Sequence, residues 1–180
     1  TYGVDDIPLV VQDKRFHDDG RLDAGAPFFV PGGFLGDTLV VNGTVDPHLD
    51  VTTERVRLRL LNASNARVYD FGFADDREFA LVASDAGLLE RPHRTGRVQL
   101  SPGERAEIVV DVEPGERAVL RSFAPDMDVP VFERFAGGDD SFDVLELRAA
   151  SELAPSPAVP DRLATIDRPD PDEAVRTREF

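Results

Sequence analysis

Period-two alternation of apolar and polar positions dominates the chain, the pattern of strands with one buried face. In Arg55-Val56-Arg57-Leu58-Arg59-Leu60 the three apolar residues point one way and the three arginines the other. Tyr69, Phe71 and Phe73 share one face, as do Phe79, Leu81 and Ala83, and then Ile108, Val110 and Val112. Leu145 and Leu147 repeat the pattern near the end. Ile7-Pro8-Leu9-Val10-Val11 is apolar on both faces and predicts a covered strand, with Pro8 near its start, where a missing donor is tolerated.

Turn chemistry separates these runs. Asn42-Gly43 supplies the positive φ of a tight hairpin between residues 38–41 and 44–45. Pro102-Gly103 and Pro114-Gly115 each offer a fixed φ followed by a permissive one, as type II turns require. Strands at intervals of about ten residues with such turns predict an all-β sandwich or barrel. Helix is scarce, and the single short helical turn expected lies around Asn62–Arg67.

Two segments break the rhythm. Residues 17 to 36 form a long loop, rich in Asp and Gly at its start and ending Ala26-Pro27-Phe28-Phe29-Val30-Pro31-Gly32-Gly33-Phe34-Leu35-Gly36. Loops this long are usually functional or disordered, and this one is too aromatic for simple disorder. From Ser151 the composition turns to Pro, Ala and Asp, as expected of an extended linker. The expected organisation is one domain over residues 1–150 and a linker over 151–180 leading toward a following domain, whose first strand begins in Val175-Arg176-Thr177-Arg178-Glu179-Phe180.

Charge and composition exclude several classes. With 20 basic against 35 acidic residues the formal charge is −15, which repels phosphate backbones and anionic lipid, so nucleic acid is not an expected partner. No apolar run reaches the length of a membrane span. The N-terminus lacks the pattern of a secretory signal and the chain begins without Met, as expected of a piece cut from a longer protein. There is no Cys, which removes disulfides, thiolate metal sites and Cys nucleophiles together.

Leu58-Arg59-Leu60-Leu61-Asn62-Ala63-Ser64-Asn65-Ala66-Arg67 resembles the segment that follows a strand in the middle domain of three-domain multicopper oxidases, of the bacterial laccase and cuprous-oxidase type. Four further stretches match that domain in the same order. They are Val4-Asp5-Asp6-Ile7-Pro8 through Gln12-Asp13-Lys14-Arg15-Phe16, Gly36 through Gly43, Ala83-Ser84-Asp85-Ala86-Gly87-Leu88-Leu89, and Leu100-Ser101-Pro102-Gly103-Glu104-Arg105-Ala106-Glu107. The resemblance covers roughly residues 2 to 112 and implies a cupredoxin-like Greek-key barrel that binds no copper itself. It further implies first and third cupredoxin domains as partners in the same parent chain, which hold the type 1, type 2 and type 3 coppers. Such a parent couples one-electron oxidation of phenols, aromatic amines or metal ions such as Cu(I) to reduction of dioxygen to water, and is extracytoplasmic.

Candidate chemistry within the chain is sparse. His17-Asp18-Asp19 reads as a metal corner or as a common turn, and His48 and His93 each follow a Pro on a turn. The His-X-His pairs and His-Cys-His segment of the copper-binding domains do not occur. No metal site and no catalytic residue are therefore expected in the chain. Gly137-Gly138-Asp139-Asp140 reads as an exposed loop, since the spacing of a calcium loop is missing. Asn42-Gly43-Thr44 and Asn62-Ala63-Ser64 match the glycosylation triplet within tight structure.

Pro31–Leu35 is different in kind. By resemblance, Pro31, Phe34 and Leu35 wall the reductant pocket beside the type 1 copper of the third domain, where small aromatic or metal-ion reductants bind; one extra Gly leaves Gly32 and Gly33 unassigned. The other reading is an apolar loop packed on its own barrel. At the level of the whole chain, the expectation is an interdomain scaffold that lends a loop to a substrate pocket. The alternative is a free-standing β-sandwich module that binds carbohydrate or protein.

Overall fold

The computed structural model describes residues 1–23, 25, 33–127, 137–176 and 178, and they form two sheets around one core. The first sheet runs in the order β2 (Thr38–Val41), β1 (Asp6–Lys14), β4 (Arg55–Asn62), β9 (Arg105–Asp111), β6 (Phe79–Ser84) and β7 (Gly87–Thr95). The second runs β3 (His48–Thr53), β11 (Phe142–Ala154), β10 (Arg117–Phe123), β5 (Tyr69–Phe73) and β8 (Val98–Leu100). β1 lies parallel to β4 and β3 parallel to β11, while the remaining pairs are antiparallel. Parallel neighbours cannot be joined by a hairpin, so the chain crosses between sheets repeatedly. The result is the all-β architecture that the alternation predicts, in the cupredoxin-like form that the resemblance implies.

The alternation translates into burial strand by strand. In β4, Val56, Leu58 and Leu60 are sealed in the core while Arg55, Arg57 and Arg59 stay on the outer face. Those arginines pair there with Asp111, Glu107 and Asp6. Tyr69, Phe71 and Phe73 of β5 are fully buried, with Phe73 edge-on to Phe79 at 6.3 Å. Each such side chain contributes about 1.5–3 kcal/mol of transfer free energy, so this aromatic line is a main source of stability. In β6, Phe79 is in the core and Leu81 packs against it, but a register shift between Leu81 and Ala83 ends the strict alternation. β1 departs from the expectation of two covered faces: Leu9 and Val11 are buried, whereas Pro8 and Val10 on the other face are only half-buried.

The turns follow their chemistry. Asn42 and Gly43 have φ of 50° and 85°, and Val41 bridges Thr44. The Asn42 side chain also donates to Pro8 O and accepts from Val10 N, both at 2.8 Å, which extends the ladder onto β1. Gly103 and Gly115 have φ of 89° and 75°, the positive values that the Pro-Gly pairs were expected to need.

One expected element does not form. After Asn62 closes β4, the chain runs irregularly to Arg67 with bends at Asn65 and Ala66 rather than a helical turn. Asn62 donates through Nδ2 to Arg67 O and Leu100 O, and its Oδ1 accepts from Ser64 N. A side chain that captures nearby backbone groups in this way competes with helix.

The last strand, β11, runs past residue 150 to Ala154. Beyond it the chain lies across the outer face of the six-stranded sheet. Arg55 donates from its backbone to Ser156 Oγ and from Nη1 to Ser156 O, Ser156 N donates to Glu54, and Leu163 N donates to Glu90 O. Arg168 adds an ion pair to Glu90. Val159 and Leu163 of this strap face Val82, Leu88 and Val109 across a crevice of about 350 Å³.

Candidate functional site

Asp13 continues the inward row of Leu9 and Val11, which places a carboxylate on the buried face at the end of β1. Arg67 answers it. Its Nε donates to Asp13 Oδ2 at 2.9 Å, its Nη2 to Gly36 O at 2.7 Å, and its Nη1 to Asp140 Oδ2 at 2.6 Å. Gly36 N donates back to the same Asp13 Oδ2 at 2.7 Å. The guanidinium also lies over the Phe142 ring, 4.8 Å from its centre. Burial alone would lower the pKa of Arg67, but the hydrogen bonds to Asp140 and Asp13 outweigh it and hold the value raised.

The turn carrying Arg67 is itself tied down. Ser64 Oγ accepts from Asp13 N at 3.1 Å and meets Tyr69 Oη at 2.8 Å, deep in the core. Burial, only partly offset by the bond to Ser64, raises the Tyr69 phenol far above its ordinary pKa, so it stays a neutral hydrogen-bonding group. Glycine is required where other segments approach. A Cβ on Gly36 would collide with the backbone of Lys14, and one on Gly137, whose φ is 78°, would strike Arg67 Nη1. One buried cation thus joins the end of β1, the segment that leads into β2 and the turn that leads into β11.

Just ahead of Gly36 lie two of the three wall residues expected from the sequence. Phe34 and Leu35 are half-buried, neither sealed in the barrel nor fully open. Pro31 lies outside the described residues, as do Phe28 and Phe29. Arg15, immediately after β1, sits over the Phe34 ring at 5.3 Å and donates from Nη2 to Leu35 O at 3.0 Å. The backbone of Arg15 is held by Asp23 N, within a small hairpin in which Phe16 bridges Leu22.

Sequence reasoning missed this cluster. Asp13 was legible as a charge on an inward position of an apolar alternation, and Arg67 as a cation closing an otherwise neutral turn. Asp140 was not, since it came from a stretch read only as an exposed loop, and it is 46% exposed even while paired. The two glycosylation triplets are engaged structurally: Asn62 is fully buried and the Asn42 side chain is bonded to β1.

The histidines are scattered. His17 is half-exposed, with Nε2 3.8 Å from Asp23 Oδ1; His48 opens β3 on the five-stranded sheet, and His93 is on β7 of the six-stranded one. Among the described residues, no three His, Asp or Glu side chains come together in an arrangement that could hold a metal ion. With no thiolate in the sequence and imidazoles on separate elements, the donors of the described residues do not fit a type 1 or multinuclear copper centre. No helix of the described residues is long and apolar enough to cross a membrane.

The profile of a family described as multicopper oxidase matches residues 21–119. Cell division protein FtsP of Dickeya dadantii is 41% identical over 162 residues, covering 88% of this chain and 33% of that protein. The FtsP of Yersinia pestis is 38% identical over 185 residues, covering 99% of this chain and 38% of that protein. Among solved structures, the laccase-like multicopper oxidase CueO of Ochrobactrum sp. superposes with a TM-score of 0.79 at 35% identity, over 97% of this chain and 37% of that one. The McoA multicopper oxidase of Aquifex aeolicus gives a TM-score of 0.81 at 32% identity, over 97% and 38%. The chain spans about a third of the length of the curated relatives it matches.

Proposed function

The chain belongs to the multicopper oxidase family, and from that premise we propose that it is the copper-free middle domain of a three-domain oxidase. It sets the relative placement of a first and a third cupredoxin domain and lends Phe34 and Leu35 to the wall of a pocket for phenols, aromatic amines or metal ions. The coppers, held by those neighbours, supply electron transfer from the reductant to dioxygen. The residues of this chain supply position. The observation that carries the reading is the Arg67 node, a buried polar cluster at the base of the segment bearing Phe34 and Leu35. An extracytoplasmic location belongs to the same reading.

The test uses the full-length protein loaded with copper. Oxygen uptake with a phenolic reductant is expected, and Phe34→Ala and Leu35→Ala should lower efficiency with a bulky reductant while copper content stays constant. Loss of one apolar wall contact is worth about 1–3 kcal/mol, roughly ten- to two-hundredfold. Equal losses on large and small reductants, or loss of copper, would show that the loop supports the fold alone.

A second reading is favoured by the curated relatives, which carry the name of a cell division protein at 38% and 41% identity. In that reading the parent keeps the multicopper oxidase fold but serves division as an assembly component without turnover. Absence of oxygen uptake by the copper-treated full-length protein, together with a division defect on deletion of its gene, would establish it over the oxidase.

A further inference from the structure

We propose that Arg15 is the positioning and selectivity residue of the Phe34–Leu35 wall, favouring electron-rich aromatic reductants with an acidic substituent over metal cations. The inference rests on the pocket-wall reading given above. Its two contacts fall on the two wall residues themselves: the guanidinium covers one face of Phe34 at 5.3 Å and hydrogen-bonds Leu35 O at 3.0 Å. A planar cation over an aromatic face fixes the ring's tilt, and the bond to Leu35 O fixes the backbone one residue on. Gly36, next in line, is held from the other side by Asp13 and Arg67, so the segment is clamped between two arginines of different kind.

The two differ in neutralisation. Arg67 is paired with Asp13 and Asp140, and the outer-face arginines Arg55, Arg57 and Arg59 each meet a carboxylate. Among the described residues, Arg15 meets an aromatic ring and a carbonyl, and no carboxylate pairs with it. Guanidinium carries five N–H donors, and one serves Leu35 O, so donors remain for an acidic group. Beside Phe34 the chain thus places a cation that no carboxylate of the described residues neutralises. A phenolate, carboxylate or sulfonate on a reductant seated against Phe34 would gain a charge-assisted hydrogen bond, whereas a cationic reductant would meet repulsion.

The experiment compares wild type, Arg15→Lys and Arg15→Met in the copper-loaded full-length protein. Two phenols matched in size and potential serve as reductants, one bearing a sulfonate and the other a quaternary ammonium. Anaerobic binding of a non-oxidisable aromatic sulfonate is measured alongside, with amide exchange at residues 34–36. Arg15→Met should raise KM for the sulfonated phenol, and Kd for the sulfonate, about tenfold or more. It should leave the ammonium phenol unchanged or improved. Arg15→Lys should recover the charge preference in part, while amide exchange at 34–36 quickens in both variants, since lysine cannot reproduce the planar stack. Equal changes for both phenols, or none, overturn the proposal. If the wild type turns over neither phenol, the oxidase reading fails on its own. The anaerobic arm then still decides Arg15: charge-dependent binding lost in Arg15→Met supports it, and equal binding by all three proteins overturns it.

Discussion

Arg67 and Asp13 form an ion pair sealed inside the sandwich, Nε to Oδ2 at 2.9 Å, with side chains only 3% and 1% exposed. The two residues are 54 positions apart in sequence. Removing one partner of such a pair strands the other charge, which typically costs about 3–5 kcal/mol, whereas replacing both by apolar groups is often far milder. Arg67→Met should therefore destabilise the protein by about that amount in urea denaturation. The double variant Arg67→Met/Asp13→Leu should lose clearly less than the sum of the two single changes. Strict additivity would mean that the pair is not energetically coupled.

Gly36 offers a test that leaves every charge in place. A methyl group there has no room beside the Lys14 backbone, and backbone cannot swing aside as a side chain can. Gly36→Ala should cost about 1–3 kcal/mol, as overpacking does, and should quicken amide exchange in the segment that enters β2. Gly43→Ala is a useful partner, since nothing lies within 4 Å of its Cβ and only its φ of 85° opposes the change. A smaller loss at Gly43 than at Gly36 is expected from chemical denaturation.

Acid should weaken the fold through identifiable groups. The hydrogen bond from Arg59 holds Asp6 below its ordinary value, and those from Arg77 do the same for Asp75 and Glu116. A carboxylate depressed in the folded state contributes stability above its unfolded pKa and loses it as pH falls through the folded one. Stability should begin to fall below about pH 4.5, the ordinary value of Glu116, and continue below the 3.8 of the two aspartates. Asp70 acts in the opposite sense, because burial raises it against the pull of Arg97, so its contribution is lost as pH rises through the raised value. Glu116→Gln should flatten the acid side of a stability-against-pH curve. An unchanged curve would show that the Arg77 contacts are not retained in solution.

The strands were legible because each rests on a local rule. Val56, Leu58 and Leu60 alternate with arginines, and a sheet has no other way to bury the first set without the second. Asn42-Gly43 and the two Pro-Gly pairs fix their own φ values, so their turns needed no knowledge of the remainder. The bend at 62–67 was misread because the polar residues that helix tolerates at its ends are the same ones that capture backbone groups in an Asx turn. Which capture occurs depends on Leu100 O and Asp13 N, 38 and 51 residues away from their partners. Phe34 and Leu35 were singled out through family likeness, while Arg15, which touches both, sits in a family-like stretch that gave it no role. Its meaning appears only once β1 and the loop are folded side by side.

The strap lends itself to a separate measurement. Leu163 packs toward Val82 and Leu88 while its N–H caps Glu90 O on the edge of β7, so Leu163→Asp should release it. Limited proteolysis between residues 155 and 170 should then quicken severalfold, with the melting of the barrel itself little changed. Equal protection in the variant would mean that Ser156 and its partners hold the strap unaided.

Residues 155–168 would reach about 45–50 Å if fully extended, the span of a free tether of that length. Pinned at Ser156, Leu163 and Arg168, they have almost none of that freedom, and any chain continuing onward starts from a defined point on the outer face of the six-stranded sheet. A free tether dilutes what it carries over a wide volume, whereas a pinned one concentrates it in a small one, raising the effective concentration of a downstream partner without a single added contact. The ordering entropy of these residues is thus met within this chain, ahead of any contact that a continuing segment would make.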